Sequence, residues 1–210
     1  MKHCLLFIVL FATCGFTCEQ QTIGLRLSGR HPVLISSEKS EDNFGPSFQR
    51  TALKLPLKNP RIVVLKSKRR LELYSDGAVV RIYKVGLGLN PVPDKERQGD
   101  RATPEGNFYI FTKNDKSAFY LSLGVSYPNI EDAERGFRSG LISRAERDVI
   151  VRANKRKGTP PQHTALGGDI YIHGNGAGSD WTWGCVALEN EDIRELFAAV
   201  PVGAPVTIRP

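Results

Sequence analysis

Cysteine is scarce in this 210-residue chain, and the positions of the few cysteines decide what they are for. Three of the four, Cys4, Cys14 and Cys18, lie in or beside an N-terminal apolar run, which leaves Cys185 without an evident partner. A disulfide framework is therefore excluded as the source of stability. The apolar run itself, Leu5 to Phe16, is too short to span a bilayer comfortably. It follows Lys2 and leads into small residues, so residues 1–18 read as a secretory signal peptide. Two other readings stay open: an uncleaved N-terminal anchor, and a lipoprotein acylated on Cys14 or Cys18. The second has a poor match, because Phe11-Ala12-Thr13-Cys14 lacks Leu three before the cysteine and Gly or Ala just before it. Membrane contact is expected only through lipidation or an uncleaved leader. An unpaired thiol in an exported protein is a liability unless it is buried or used, and export with one thiol favours use.

Nucleic-acid motifs are also lacking. The net charge is +7, and beyond the leader 28 basic residues stand against 22 acidic ones. The basic residues are scattered, with short clusters at Lys66 to Arg70 and Arg152 to Lys157, and no aromatics are interleaved with them. A solvated surface accounts for this better than a nucleic-acid partner. There are no internal repeats and no long low-complexity run. A hydrophobic fraction of 40% with 24% charged residues is ordinary for a globular chain, so one domain with its own core is expected.

Residues 19–58 read as a linker or loosely ordered arm, because Ser36 to Asp42 is polar and Pro32, Gly45, Pro46 and Pro56 break regular elements. A folded domain is expected over 59–210. Ile62 to Leu65 is a short apolar strand, and Leu71 and Leu73 alternate as a second. Ser75-Asp76-Gly77 is a tight-turn signal into a third, Ala78 to Val85. Gly86, Gly88, Pro91 and Pro93 mark an irregular loop through Lys95 to Asp100, and Thr103-Pro104-Glu105-Gly106 turns into a strand from Asn107 to Phe111. The front half is expected to be a β-meander. Asp132 to Phe137 reads as a short helix. Ser143-Arg144-Ala145-Glu146 has the form of a capping box, starting a helix that stops by Gly158. Asn190 is expected to cap a last helix that buries Ile193, Leu196, Phe197 and Val200, and Val206 to Ile208 forms a closing strand.

The stretch from Gly167 to Leu188, GGDIYIHGNGAGSDWTWGCVAL, carries the chemistry. Strand alternation puts Ile170 and Ile172 on one face, and Tyr171 and His173 on the other. A glycine-rich loop then leads to Gly184 and Cys185. A thiol and an imidazole within reach of each other make an activated nucleophile, since the thiolate is the attacking species. The amides of Gly184 and Cys185 are natural donors to an oxyanion. No Asp or Asn stands where it would orient the imidazole, and a backbone carbonyl such as that of Gly174 is a candidate for that role. Trp181 and Trp183 are core residues or cleft walls. A zinc site from His163, His173 and Cys185 lacks recognisable ligand spacing, and His31 reads as a surface residue.

Three segments, IVVLKSKRRLELY, GDRATPEGNFYI, and LGGDIYIHG followed by SDWTWGCVALEN, resemble the L,D-transpeptidase (YkuD-like) catalytic domain of bacterial cell-wall enzymes over roughly Arg61 to Ile208. The resemblance implies a mostly β fold with short helices (α+β), with a β-sandwich-like core. It implies a cysteine nucleophile at Cys185, a histidine acid/base at His173, and a helper residue at Gly174. It also implies an exported enzyme of the periplasm or cell envelope that acts on peptidoglycan stem peptides, with no metal or organic cofactor. A lysine of a wall-anchored protein is a further candidate acceptor. Two departures stand out. Thr182 is kept, but Trp183 replaces a histidine before Gly-Cys, and the His173 to Cys185 gap is short. Both fall in the expected substrate cleft, with Tyr171, Trp181, Thr182 and Trp183 as its candidate walls. A hydrolase of the same fold and a non-catalytic peptidoglycan-binding module are the competing expectations.

Overall fold

Strand-forming residues dominate the domain, and a computed structural model describes them over residues 51–210. The expected leader, Cys4, Cys14, Cys18, His31 and most of the expected arm lie outside the described residues. Of that arm, residues 51–58 form no helix or strand. Leu53 and Leu57 nevertheless pack against the main core, so the chain is already engaged with the domain there.

Three strands open the fold: β1 (Arg61–Leu65), β2 (Arg70–Ser75) and β3 (Ala78–Lys84). The Asp76-Gly77 turn between the last two has φ values of 50° and 85°, the double left-handed geometry that suits a two-residue hairpin and favours Asp-Gly. The meander ends there. β4 (Gly106–Ser117) is longer than expected and pairs with β5 (Tyr120–Val125) and with the closing strand β8 (Pro205–Arg209). Between them come α1 (Ile130–Arg138), α2 (Arg144–Lys155), β6 (Tyr171–His173), β7 (Val186–Ala187) and α3 (Asn190–Ala199). The strand order is β3-β2-β1-β8-β4-β5-β6-β7. β8 enters the middle of the sheet parallel to β1, a long-range pairing that hydrophobic alternation cannot foretell.

The sheet curls on itself. Gly86, just after edge strand β3, exchanges two backbone bonds of 2.9 and 2.8 Å with Ala187 on the opposite edge strand β7. A Cβ on Gly86 would lie 2.2 Å from the Ser179 carbonyl oxygen, so only glycine permits this closure. The two halves face one another across a single core built from Ile62, Val64, Leu71, Leu73, Phe108, Ile110, Leu123, Ile172, Val186 and Ile208, sealed by Ile193 and Leu196 of α3. A smaller cluster, Ala133, Ile142, Ile150 and Leu166, holds α1 and α2.

The helix ends follow local chemistry, with one exception. Ser143 and Glu146 exchange both capping-box bonds at the start of α2. Asn129 and Asp132 do the same for α1. At α3 the expectation fails: Glu189 occupies the cap position and makes no side-chain cap bond. Asn190 instead accepts from the Asn175 amide at 2.9 Å, and Glu189 accepts from the Ala177 amide at 2.8 Å. Tying down the glycine loop after His173 has displaced ordinary capping.

Candidate active site

The candidate base sits where a short strand meets that loop. His173 ends β6, in register with Ser122 of β5 and Ala187 of β7, and is 3% exposed. Its Nδ1 lies 2.8 Å from the carbonyl oxygen of Gly174. A carbonyl only accepts, so Nδ1 carries the proton and Nε2 is left as the basic nitrogen. The Phe119 ring lies against the imidazole, tilted by 31° with centroids 4.7 Å apart, and the Trp181 ring meets it edge-on at 5.5 Å. Removal from water by these neighbours lowers the His173 pKa, which the Gly174 bond opposes. Gly174 admits no side chain, since a Cβ would lie 2.5 Å from Asn190 Oδ1 and 2.9 Å from the Phe119 carbonyl oxygen.

Cys185 carries a free, half-buried thiol. It donates to the Asp169 carbonyl oxygen at 3.4 Å and accepts from the Tyr171 amide at 3.4 Å. The imidazole is not among its hydrogen-bond partners. Burial pushes the thiol up to about 11, Asp169 adds to this, and the Tyr171 amide and the charge of Lys95 act against it. The resting pair is thus a neutral thiol and a neutral imidazole.

Cys185 and His173 line one cleft of about 330 Å³, together with Tyr171, Asp169, Ser122 and the β4–β5 hairpin residues Asn114 and Lys116 to Phe119. The hairpin was missed in the sequence because its charged, alternating composition carries no catalytic pattern. A larger cavity, of about 430 Å³, opens between Glu96, Arg97 and α1, and holds neither Cys185 nor His173.

The expected cleft walls separate. Tyr171 lines the cleft. Trp181 packs beside the imidazole and donates from Nε1 to the Gly176 carbonyl at 3.0 Å, so it supports the base. Thr182 is buried, and its hydroxyl donates to the Cys185 carbonyl at 2.7 Å while accepting from the Gly184 amide at 3.1 Å. That staple corrects two expectations. Thr182 braces the nucleophile turn from within and is not a cleft wall, and the Gly184 amide is engaged and not free to receive an oxyanion. Gly184 remains necessary for its shape, with φ at 129° and the Ala102 carbonyl oxygen 2.7 Å from where a Cβ would stand. Trp183 does not line the cleft either. It is 68% exposed, with the Arg101 guanidinium 4.9 Å from its ring centroid.

Asp180 was also missed. It receives the Arg69 guanidinium through bonds of 3.0, 3.0 and 2.7 Å, and its Oδ1 accepts from the Leu87 amide at 2.9 Å. This anchors the loop that precedes Thr182 to the front of the sheet. His163 is exposed, with Nδ1 4.0 Å from Asp169. Among the described residues no three metal-ligating side chains converge.

The curled, mostly β domain thus brings a cysteine and an oriented histidine to one cleft. The L,D-transpeptidase catalytic domain (YkuD) matches residues 59–208, and the chain belongs to that family. Among solved structures it is similar to the helical cell shape determining protein Pgp2 from Campylobacter jejuni, at 22% identity over 73% of this chain and 47% of that one, with a TM-score of 0.50. It is also similar to the L,D-transpeptidase from Xylanimonas cellulosilytica, at 17% identity over 76% of this chain and 64% of that one, with a TM-score of 0.44. The chain thus spans about half the length of the Campylobacter protein. No curated protein sequence matches it significantly.

Proposed function

We propose that this protein is an exported cysteine acyltransferase that acts on peptidoglycan stem peptides. The observation that carries the reading is the shared cleft of Cys185 and His173, with the imidazole tautomer fixed by the Gly174 carbonyl. The fixed tautomer leaves Nε2 unprotonated, ready to take the thiol proton once a rotation about the Cys185 side chain frees it from the Asp169 carbonyl.

In the first half-reaction the sulfur attacks the carbonyl after an L-centre of the stem. The thiol proton moves to His173 Nε2, then to the amine of the terminal D-residue as its C–N bond breaks, which leaves a thioester. In the second, an amine of a neighbouring stem, or of a wall-protein lysine, attacks the thioester. Its proton passes to Nε2 and returns to the departing sulfur. Water in place of the amine gives hydrolysis by the same steps. The Cys185 amide is the candidate oxyanion donor that remains at the turn, since that of Gly184 is engaged by Thr182.

Mass spectrometry of muropeptides incubated with the wild type and with Cys185→Ala tests the proposal. Cross-linked or residue-exchanged products from the wild type alone support transfer. Shortened or uncoupled products alone move the assignment to a hydrolase. Identical profiles from both proteins would sink catalysis on these substrates and leave a peptidoglycan-binding module.

A further inference from the structure

We propose that the side-chain carboxylate of Asp169 is a binding site for a primary ammonium group of the substrate, placed in the cleft beside Cys185. The proposal rests on the acyl-transfer reading above and adds a determinant of which peptides the cleft accepts.

Asp169 is set rigidly. Its φ is 54°, a left-handed conformation that Asp tolerates better than most residues. Its amide donates to Gln162 Oε1 at 2.8 Å, and the preceding Gly168 lies so close to the same residue that a Cβ would stand 2.2 Å from the Gln162 carbonyl oxygen. This geometry turns the Asp169 carbonyl to the Cys185 thiol while the side chain stays 60% exposed in a residue that lines the cleft. The basic group beside that carboxylate is His163, 4.0 Å away and itself exposed.

The charge sits at an awkward place for the chemistry. The thiol must become a thiolate, and the Asp169 carboxylate opposes this, as it opposes ionisation of the Tyr171 hydroxyl. Lys95 acts the other way, but its ammonium is bound to Asp100 at 2.8 Å and to the Arg97 carbonyl at 3.0 Å. Lys116 lines the cleft on the hairpin, and His173 is neutral in the resting state. An anion next to a nucleophile that must turn negative makes sense when a cation arrives with the substrate. An ammonium on Asp169 would cancel the opposing charge in the complex alone, so that thiol activation accompanies binding. Peptidoglycan stems offer such a group in two places, the side-chain amine of a diamino acid in the donor and the amine of the acceptor.

Calorimetry on Cys185→Ala, which binds without turnover, separates these sources. A donor peptide and an acceptor peptide are each titrated with the amine free and with it acetylated. The expected result is binding about fivefold tighter for the free amine in one of the two pairs, near the upper range for an exposed ion pair. That preference should vanish when Asp169→Asn is added, a change that keeps the size and the tolerance of left-handed backbone. The pair that shows the preference identifies the source. Binding of all four peptides with no amine preference overturns the proposal and leaves acyl transfer standing. Absence of binding by any peptide overturns the peptide reading, and the proposal falls with it. A peptide-free readout comes from alkylation of Cys185 by iodoacetamide. Asp169→Asn alone should move the pH midpoint downward, and an unmoved midpoint counts against the electrostatic argument.

Discussion

The sulfur of Cys185 rests 3.4 Å from the carbonyl oxygen of Asp169, while the imidazole of His173, in the same cleft, is not bonded to it. The resting thiol is therefore parked against an acceptor that cannot take its proton. With the thiol pushed up to about 11, mainly by burial, the thiolate is a very small fraction at neutral pH. Iodoacetamide should accordingly label the free enzyme slowly at pH 7, with the rate rising about tenfold per pH unit as the titration is approached. A plateau already reached near pH 7 would mean a resting thiolate–imidazolium pair, contrary to the geometry.

The pH dependence of turnover should follow the base. His173 must be neutral to accept a proton, and its pKa is held below the ordinary 6.5 by burial. Activity should then persist below pH 6.5, with its acid limb displaced to lower pH than that of an exposed histidine. The same shift sets a stability effect. The unfolded chain binds a proton at His173 more readily, so this contribution is complete above the unfolded value and lost as pH falls through the folded one. Removing the base by His173→Gln should lower turnover by about two to four orders of magnitude with the fold retained, as measured by steady-state kinetics and circular dichroism.

Much of this site was legible in the residues. Strand alternation put Ile170 and Ile172 in the core with His173 on the other face, because a period of two is enforced wherever one side is buried. The Ser143 capping box was legible because both partners lie within one turn. What stayed hidden depends on contacts distant in sequence. Phe119 reaches His173 only through the β5–β6 pairing, Asp180 meets Arg69 across more than a hundred residues, and Asn190 abandons a cap for Asn175. Thr182 looked like a cleft residue because it falls in the family-like motif that ends at Gly184-Cys185, and only the path of the turn shows its hydroxyl directed inward.

Thr182 gives a direct test of that turn. Thr182→Val keeps the volume but leaves the Gly184 amide and the Cys185 carbonyl without their shared hydroxyl. A loss of about 1–3 kcal/mol is expected in denaturant unfolding, with a fall in turnover because the nucleophile turn loosens. Thr182→Ser, which restores the hydroxyl, should recover most of both. If valine matches the wild type in both measurements, the staple is not what holds Cys185.

At the start of α2 the expected effect is on stability alone. Ser143→Ala removes the hydroxyl that accepts from the Glu146 amide, and should cost about 1 kcal/mol. For a domain of this size that is a fall in Tm of about 2–4 °C by calorimetry. Turnover should not change, since the α1–α2 pair has its own small core and does not line the cleft.

Phe119 tests whether the hairpin tunes the base. Its backbone carbonyl accepts from the Gly174 amide at 3.0 Å, while its ring packs, tilted, against the imidazole. Phe119→Ala keeps the first contact and deletes the second, admitting water to one face of His173. Since desolvation is the main cause of the lowered pKa, the value should rise towards 6.5. An NMR titration of the histidine ring protons, assigned with His173→Gln, reads this directly. Activity at pH 6 should fall more than activity at pH 8, because a higher pKa leaves more imidazolium at the lower pH. An unshifted titration would transfer control of the base from the hairpin to Trp181 and the burial of β6. A shifted titration with no change in the pH profile of turnover would show that His173 is tuned by Phe119 without being the base.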